Sequence, residues 1–403
     1  MMGNTFGRLF RITTCGESYG RGLACIADGV PPGMKLNVEH IQAELDKRRP
    51  GQSKLDSPRK ETDHVEVFAG LLEGVTTGAP VGMIIYNVDT QQIHVDQYRA
   101  VKDLIRPGHA EHTFFLKYGE WADWCGAGRA SGRETCARVA GGAVAKQILA
   151  REGIEVLGHV VESHGIKAAP LTFEQVADNY RKNDLNCCDL TAAETMIKDL
   201  LKVRENGDTC GGAIEVVARG VPGGLGEPVY DKLRASIAHG IMSIGAVTAL
   251  EIGGGTAASA MCGSEWNDEP YLDENGIVRF RTNYAGGMLG GISNGDEIRI
   301  RLTVKPTPTI SKKQASVDMA RMEQAELAAI TRRDVTICPR IYPVAEAMVA
   351  AAILDAMYMA KGYEYFARLP EKWRQQTAPK DVSQHDEIIQ RAFRKPDVIA
   401  GSR

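Results

Sequence analysis

The chain has 403 residues, 43% hydrophobic and 25% charged, a composition typical of a folded globular protein that excludes a wholly disordered one. Its 48 lysines and arginines are offset by 51 aspartates and glutamates, so no overall basic field exists to hold nucleic acid. An anionic ligand would therefore need local clusters of arginine. Glycine contributes 43 residues, above its usual share of about 7%, which indicates many turns and backbone that approaches a ligand.

Periodicity and turn residues predict helices and strands that alternate without a break in composition. In chain order they are a helix with the apolar stripe Val38, Ile41 and Leu45; strands at 65–68 and 83–86; a helix at 134–152; helices begun by capping boxes at Thr172 with Gln175 and at Thr191 with Glu194, the second ending near Asn206; strands at 213–217 and 297–304; and a helix from Pro343 to Lys361. Because residues 297–304 alternate strictly between apolar and polar, we expect a half-buried antiparallel strand there. The pattern as a whole predicts one large α+β domain at residues 1–360 and a C-terminal extension at 361–403.

Targeting and cysteine signals point to a cytoplasmic protein. Residues 1–10 lack a charged segment followed by an apolar one, so we expect no secretory signal. The nine cysteines, an odd number without metal-ligand spacing, are typical of reduced thiols and disfavour a metal or disulfide role. The longest apolar stretch, residues 343–360, carries Glu346 and Asp355 and so predicts a buried helix rather than a membrane span.

Five short segments combine glycine or proline with charged or hydroxyl side chains. They lie at 15–20, 48–53, 106–109, 128–134 and 305–309, and Arg332, Arg333, Asp334 and Arg340 follow them. Guanidinium groups grip carboxylate and phosphate through paired hydrogen bonds, and glycine-rich turns present backbone N–H groups to anions. Such a set suits a small ligand with several negative charges or a flavin phosphate.

Each segment also has a plainer interpretation. An arginine pair such as Arg48 and Arg49 is more often a solvated surface patch, and Ser131 stands where a helix N-cap belongs, three residues before Glu134. His109 follows Pro-Gly in a loop, which favours acid–base work over packing. The segment Gly16–Gly20 lacks the spacing of a nucleophile elbow, and Gly253–Gly255 lacks that of a dinucleotide fingerprint.

Taken in order, these segments resemble the chorismate synthase family from about Gly3 to about Asp355. The resembling blocks are 3–10, 28–33, 48–51, 106–110, 128–135, 285–293, 305–307 and 343–348. The resemblance implies a β-α-β sandwich that assembles as a homotetramer. It implies the anti-1,4-elimination of phosphate from 5-enolpyruvylshikimate 3-phosphate to give chorismate, with reduced FMN required although no net redox change occurs. NADPH or an external flavin reductase would supply the reduced flavin, and no nucleic acid or membrane partner is expected.

The resemblance also carries roles to individual positions. The implied flavin-binding positions are Arg129, Ala130, Ser131, Gly245, Ala246, Gly290, Lys305, Pro306, Thr307, Pro308, Thr309 and Arg332. The implied substrate-binding or NADP-binding positions are Arg48, Arg49, Lys54, Arg133 and Arg340. His109 matches the residue that protonates the leaving phosphate or the flavin, and Asp334 matches the carboxylate that helps the flavin N5 to receive the ring proton.

The chain departs from the family pattern at Tyr19, where the family has a histidine taken to donate to the N1/O2 side of the anionic reduced flavin. Residues 331–335 keep the family's arginine and aspartate and change the other three, and residues 129–133 lose one hydroxyl. An alternative function follows from the first departure, namely a flavin- and anion-binding protein of the same fold with impaired turnover.

The effect of tyrosine in place of histidine at position 19 can be tested by mutation. A histidine beside an anionic flavin has a raised pKa and can be cationic, whereas a phenol with an ordinary pKa of about 10 stays neutral and only donates a hydrogen bond. We expect Tyr19→His to raise turnover on the order of tenfold, which is about 1.4 kcal/mol of barrier, and Tyr19→Phe to lower it. Steady-state kinetics measure both, and a Tyr19→Phe variant equal to wild type beside a Tyr19→His variant without gain would contradict a place at the flavin.

Overall fold

The computed structural model describes residues 3–53, 55, 61–88, 90, 92–329 and 334–364. Its strands are β1 (Thr5–Phe6), β2 (Arg11–Gly16), β3 (Gly22–Asp28), β4 (Val65–Ala69), β5 (Leu71–Leu72), β6 (Val75–Thr76), β7 (Val81–Tyr86), β8 (Glu155–Ser163), β9 (Ile166–Lys167), β10 (Gly212–Arg219), β11 (Val247–Ile252), β12 (Pro270–Leu272), β13 (Val278–Phe280), β14 (Met288–Leu289), β15 (Ile292–Ser293), β16 (Ile298–Val304), β17 (Gln314–Asp318) and β18 (Glu323–Leu327). Its helices are α1 (Val38–Arg48), α2 (Gln92–Ala100), α3 (Glu111–Tyr118), α4 (Thr135–Arg151), α5 (Phe173–Asn179), α6 (Leu190–Glu205), α7 (Leu233–Met242), α8 (Gly263–Trp266) and α9 (Cys338–Glu364).

Two antiparallel sheets enclose a layer of helices. The first sheet has the strand order β1-β2-β3-β7-β4 and the second the order β11-β16-β10-β8-β9. Helix α4 packs on β2, β3 and β7 of the first sheet, α9 packs on β8 and β10 of the second, and the two helices pack on each other. This arrangement confirms the α+β class and the β-α-β sandwich. Of the predicted C-terminal extension, the residues beyond 364 lie outside the described part of the chain.

Alternating burial explains how both sheets hold the helical layer. In β16, Ile298, Ile300, Leu302 and Val304 are buried while the residues between them are half-buried, as the strict alternation predicted. The strand pairs antiparallel with β10 on one side and β11 on the other. In the first sheet the same period buries every second residue of β3 against α4. Each sheet therefore offers one apolar face to the helices.

A glycine pair lets α4 fit between a sheet and a second helix. A Cβ at Gly141 would lie 3.0 Å from both the Cys25 Sγ and the Ile12 side chain in the first sheet. A Cβ at Gly142 would lie 2.5 Å from the Ala347 Cα in α9, closer than real Cβ contacts allow. The two adjacent residues point to opposite sides, so the absence of both side chains sets the spacing of the layers.

Buried ion pairs hold the three central helices together. The Lys146 Nζ in α4 donates to the Glu346 Oε2 in α9 at 2.7 Å and to the Glu44 Oε1 in α1 at 3.0 Å. The Lys47 Nζ donates to the same Glu44 oxygen at 2.6 Å. Burial alone lowers the pKa of Lys146, but the Glu346 and Glu44 carboxylates outweigh it and hold that pKa above its ordinary range. Lys146 therefore remains charged, whereas burial lowers the pKa of Lys47 to about 8 despite the Glu44 carboxylate beside it.

Most of the predicted elements are confirmed, with two corrections at helix starts. Thr172 and Gln175 form the predicted capping box of α5. The start predicted at Thr191 is wrong, because the Asp189 carboxylate accepts from the N–H groups of the next turn and α6 begins at Leu190. The start predicted at Pro343 is also wrong: α9 begins at Cys338, and the proline lies in its second turn, where its missing N–H costs one helical hydrogen bond.

Helix α9 is long and apolar enough to cross a membrane, but 83% of its apolar window is buried inside the protein. Strands β8 and β10 of the second sheet and helices α4 and α7 pack around it. Within the described residues it is therefore the central core helix, as the acidic residues in its sequence predicted.

We expect Gly142→Ala to lower the free energy of unfolding by about 1–3 kcal/mol, because the new methyl group overpacks the α4–α9 contact. In an open helix position the same change would stabilise the protein by roughly 0.5–1 kcal/mol. Gly263→Ala is the matched control, since a Cβ there meets nothing closer than the Asn267 side chain at 4.0 Å. Urea denaturation of both variants measures the difference, and an equal effect at the two positions would contradict the packing argument.

Candidate active site

A cavity of about 850 Å³ opens where the first strands meet the ends of three helices. Its wall is formed by β1 and β2, the loop before α3, the turns before α4, the C-terminal end of α7 and the first turns of α9. The volume lies within the range of cofactor and substrate sites, roughly 300–1,000 Å³. The sandwich thus brings loops from distant parts of the chain to one concave surface.

Ten of the predicted site residues line this cavity. They are Arg48, His109, Arg129, Ala130, Ser131, Gly245, Ala246, Lys305, Pro308 and Arg340. Arg138, which the sequence analysis did not select, adds a further guanidinium, and Glu134 adds a carboxylate. Cations outnumber carboxylates among the lining residues, so the cavity attracts anions.

Arg129 is held by the end of the first sheet. Its Nη2 donates to the Thr14 carbonyl oxygen at 3.1 Å and to the Asn4 Oδ1 at 2.9 Å, and its Nη1 donates to the Gly16 carbonyl oxygen at 3.2 Å. These partners are neutral, and within the described residues no carboxylate forms an ion pair with Arg129, so its positive charge is available at the wall of the cavity.

Arg48 is buried in the wall of the cavity and shares a carboxylate with Arg133. The Arg48 Nη1 donates to the Asp63 Oδ2 at 2.6 Å, and the Arg133 Nη1 pairs with the Asp63 Oδ1. Burial alone raises the pKa of Asp63, but Arg48 and Arg133 outweigh it and hold that pKa below its ordinary value. Arg48 is thus no solvated surface residue, unlike Arg49, which pairs with Asp46 near the surface.

Arg340 connects the start of α9 with the end of α1. Its Nε donates to the Arg48 carbonyl oxygen at 3.2 Å, and its Nη1 donates to the Asp334 Oδ2 at 2.8 Å. Asp334 is itself buried and lies behind Arg340 rather than in the cavity wall. The Asp334 carboxylate is therefore connected to the cavity wall only indirectly, by its hydrogen bond to Arg340.

His109 lies in a cationic surrounding. Its Nε2 is 3.1 Å from the Thr309 Oγ1, and the Lys305 Nζ donates to the Gly108 carbonyl oxygen at 2.7 Å, next to the histidine. Burial, together with the charges of Arg106 and Lys305, lowers the pKa of His109 from 6.5 to about 4. The imidazole is therefore neutral near pH 7 in the free protein. An anion that binds beside it would raise its pKa.

The turns before α4 present Ser131 to the cavity. Gly126, Ala127 and Gly128 all have positive φ, which folds the backbone tightly before Ser131. The Ser131 side chain accepts from the Arg133 N–H at 3.2 Å and so caps the turn Gly132–Glu134 that leads into α4. The plainer interpretation of Ser131 as a helix cap is correct, and the residue also lines the cavity.

Tyr19 does not line the cavity. Its ring packs edge-to-face on Tyr98, with ring centroids 5.4 Å apart, and lies over the backbone of Gly126. The neighbouring Ser18 Oγ is 3.2 Å from the Ser131 Oγ, so Tyr19 borders the turn that carries the cavity-lining serine. Its predicted place beside the flavin stays a prediction.

Other predicted residues stand back from the cavity. They are Arg49, Arg133, Gly290, Pro306, Thr307, Thr309 and Asp334. Gly290 lies in the turn between β14 and β15, whose Gly291 carbonyl accepts from the N–H of Leu233 at the start of α7. The cavity lies at the other end of that helix, which is about 15 Å long. Lys54 and Arg332 lie outside the described residues.

Asp63 and Arg138 were not among the site residues predicted from the sequence. Arg138 follows Glu134 at the spacing of a helical ion pair, and its Nε donates to the Glu134 Oε2 at 3.0 Å, so periodicity alone was a usable signal. It also donates to the Ser243 Oγ at 2.6 Å, which ties α4 to the end of α7. Asp63 offered no local signal, because its partners lie far away in sequence.

Within the described residues no group of three histidine, cysteine, aspartate or glutamate side chains is placed to hold a metal ion, and the nine cysteines are free thiols. The fold and the site together define a concave, enzyme-type cavity whose arginine, lysine and histidine side chains suit a small, multiply charged anion.

Comparisons with known proteins agree with this description. A sequence model of the chorismate synthase family matches residues 10–358. A chorismate synthase from Acetivibrio thermocellus is 56% identical over 380 residues, which cover 90% of this chain and 96% of that protein. One from Methanosarcina barkeri is 48% identical over 357 residues, which cover 89% and 96%. A crystal structure of chorismate synthase aligns with a TM-score of 0.66 and 27% identity over 95% of this chain and 99% of the other.

The chain belongs to the chorismate synthase family. It is therefore a carbon–oxygen lyase of aromatic amino acid biosynthesis, in a family that requires reduced flavin.

The surroundings of His109 lead to a titration experiment. We expect the imidazole of the free protein to titrate near 4 and Lys305→Met to raise that value, because it removes a neighbouring positive charge. Since the folded state binds the proton more weakly than the unfolded state, this histidine lowers stability as the pH falls from 6.5 towards 4. NMR titration, with His109→Gln to assign the signal, measures the pKa. Lys313→Met, at an exposed lysine paired with Glu326, is the control. A wild-type pKa near 6.5 would contradict the cationic surrounding.

Proposed function

We propose that the chain catalyses the anti-1,4-elimination of phosphate from 5-enolpyruvylshikimate 3-phosphate, giving chorismate. The observation that carries the proposal is the convergence of Arg48, Arg129, Arg340, Lys305 and His109 on one cavity. The substrate has a phosphate and two carboxylates, so it needs several cations in one place. Family membership supports the same substrate class.

The residues of the cavity fit reduced FMN as the cofactor. A Cβ at Gly245 or at Gly132 would meet nothing within 4 Å, so at both positions the backbone faces open space where a ligand can approach closely. Arg129, Ser131 and Lys305 supply the charge and hydrogen bonds that a flavin phosphate and ring would need. When bound, reduced FMN would supply electron density that assists loss of phosphate and is recovered at the end of the turnover.

The cations of the wall would bind and orient the substrate. Arg48 and Arg340 are linked through the Arg48 carbonyl oxygen, so the two guanidiniums have a fixed relation to each other. Positive charge at the leaving oxygen stabilises the developing phosphate, and a fixed donor of this kind contributes roughly 3–4 kcal/mol in enzymes. We assign that task to Lys305 and to His109.

His109 would hold a proton on its imidazole only when the substrate is bound. Its pKa of about 4 makes it neutral in the free protein, and the negative charge of a phosphate beside it raises that pKa. Protonation thus follows substrate binding, which places an acid at the leaving group during turnover.

Asp334 would help to move the ring proton. Its Oδ2 accepts from Arg340, and this bond fixes the carboxylate behind the cavity wall. A carboxylate held in this way is oriented for proton transfer once ligands close the cavity. Arg332 and Lys54 keep their implied roles as part of the proposal, whereas Gly290, at the far end of α7 from the cavity, is given no contact with the flavin there.

The proposal includes further properties that the family implies. The enzyme would act as a homotetramer in the cytoplasm and would depend on NADPH or an external flavin reductase for reduced FMN. The alternative, an impaired flavin- and anion-binding protein, differs from it in turnover rather than in ligand binding.

Incubation with 5-enolpyruvylshikimate 3-phosphate and chemically reduced FMN under anaerobic conditions tests the proposal. We expect release of inorganic phosphate together with chorismate, and no release with oxidised FMN. Asp334→Asn should lower turnover by roughly 10²–10⁴-fold, the usual weight of general acid–base catalysis, with FMN binding retained. Binding of FMN and substrate without phosphate release in the wild type would favour the impaired alternative, and failure to bind either would refute both.

A further inference from the structure

Asp63 is a fully buried carboxylate that lies between two guanidinium groups. Its Oδ2 accepts from the Arg48 Nη1 at 2.6 Å and its Oδ1 pairs with the Arg133 Nη1. Asp63 has no exposed surface and does not line the cavity. It therefore cannot touch the substrate in this arrangement, yet it holds Arg48, which does line the cavity.

Arg133 holds the first oxygen of Asp63 in place. The Arg133 Nε donates to the Asn87 Oδ1 at 2.8 Å, and its Nη2 donates to the Tyr86 carbonyl oxygen at 3.3 Å. Glu61 lies 3.6 Å from the same guanidinium and balances part of its charge. Because Tyr86 and Asn87 lie at the end of β7, Arg133 fixes the position of the carboxylate relative to the first sheet.

Arg48 receives its orientation from Asp63 and from the start of α4. Its Nε donates to the Thr135 Oγ1 at 3.1 Å and its Nη2 donates to the Gly132 carbonyl oxygen at 3.4 Å. These two acceptors are neutral, and Asp63 is the charged one. A long side chain that is held at three of its donors loses little further freedom when it binds a ligand.

The backbone at Asp63 has an uncommon conformation. Its φ is +47°, in the left-handed region that non-glycine residues seldom adopt and that aspartate tolerates better than most. The Gln42 Nε2 donates to the Asp63 carbonyl oxygen at 3.2 Å and anchors it to α1. The chain thus accepts an uncommon conformation to point one carboxylate at two arginines.

We propose that Asp63 is a positioning residue for the anionic substrate, which acts by holding the Arg48 guanidinium at the cavity wall while Arg133 holds Asp63. The proposal rests on the proposed function, in which Arg48 binds the substrate. It assigns to Arg133 a supporting role behind the wall instead of a direct contact with the substrate.

Steady-state kinetics on three variants test the proposal. Asp63→Asn keeps the shape of the side chain and removes the shared charge, so we expect KM for the substrate to rise on the order of 10- to 100-fold, the weight of one hydrogen bond to a charged group. We expect kcat to change less and FMN affinity to stay unchanged. Arg48→Met should raise KM similarly, and the double variant should be no worse than Arg48→Met alone, because Asp63 then has nothing to position.

A further variant keeps the test sharp if Asp63→Asn folds poorly. Arg133→Gln removes the support of Asp63 and should raise KM in the same direction, with the effect again lost in the Arg48→Met background. Arg301→Gln is the matched control, since Arg301 also bridges two carboxylates, Glu162 and Glu251, but on the second sheet away from the cavity. It should leave KM and kcat unchanged. Losses that multiply in the double variants, or an unchanged KM in folded Asp63→Asn, would overturn the proposal.

Binding of inorganic phosphate separates this proposal from the proposed function. Calorimetric titration of the same variants requires no turnover, and we expect Asp63→Asn to weaken phosphate binding only where Arg48 is present. If the wild type binds phosphate with this dependence but releases none from the substrate, the proposed function fails and the positioning role stands. If the wild type is active but Asp63→Asn binds phosphate as tightly as the wild type does, the proposed function stands and the positioning role fails.

Discussion

The pairing of buried charges is the constraint on which this structure depends. An ion taken out of water costs several kcal/mol unless an opposite charge and hydrogen bonds meet it. Glu44, Lys47, Lys146 and Glu346 satisfy that condition only when α1, α4 and α9 stand in one arrangement. The Glu346 Oε1 also accepts from the Gly158 N–H at 2.6 Å, so the second sheet is tied to the same cluster.

The positions of the residues that line the cavity depend on this cluster of ion pairs. Arg48 directly follows Lys47 at the end of α1, so the ion pairs that hold Lys47 also bring Arg48 to the wall. Helices α4 and α9 deliver Ser131 and Arg340 from their N-terminal ends to the same place. Carboxylates behind the wall compensate the deepest arginines, while Arg129 and Lys305 bond to neutral oxygens. Burial first, and then the positive charges of Arg106 and Lys305, lower the pKa of His109, and a bound anion would oppose the effect of those charges.

Local patterns in the sequence predicted much of the fold because local physics decides it. The alternation in β16 and the apolar stripe of α1 both correspond to buried faces. An apolar repeat of two residues in a strand, or of about 3.6 in a helix, places those side chains on one face, and that face packs on the core. The starts of α6 and α9 were misplaced for an equally physical reason. Asp189 and Thr191 are both acceptable caps, and only the path of the chain selects one. Cys338 and Tyr342 are buried, and that packing extends α9 ahead of its proline.

The amino-acid sequence by itself determined the family, the sandwich class and the set of loops that carry arginine, lysine, histidine and glycine, because those motifs are local and keep their spacing. Only the tertiary structure decided which arginines face the cavity and which are bound behind it. Arg48 and Arg133 look alike in sequence, yet one lines the cavity and the other supports it. Their difference is set by Asp63 and Asn87, which come within hydrogen-bond distance only after the chain has folded. The strength of a charged contact depends on the distance between the charges and on their burial, and the spacing of residues along the chain predicts neither.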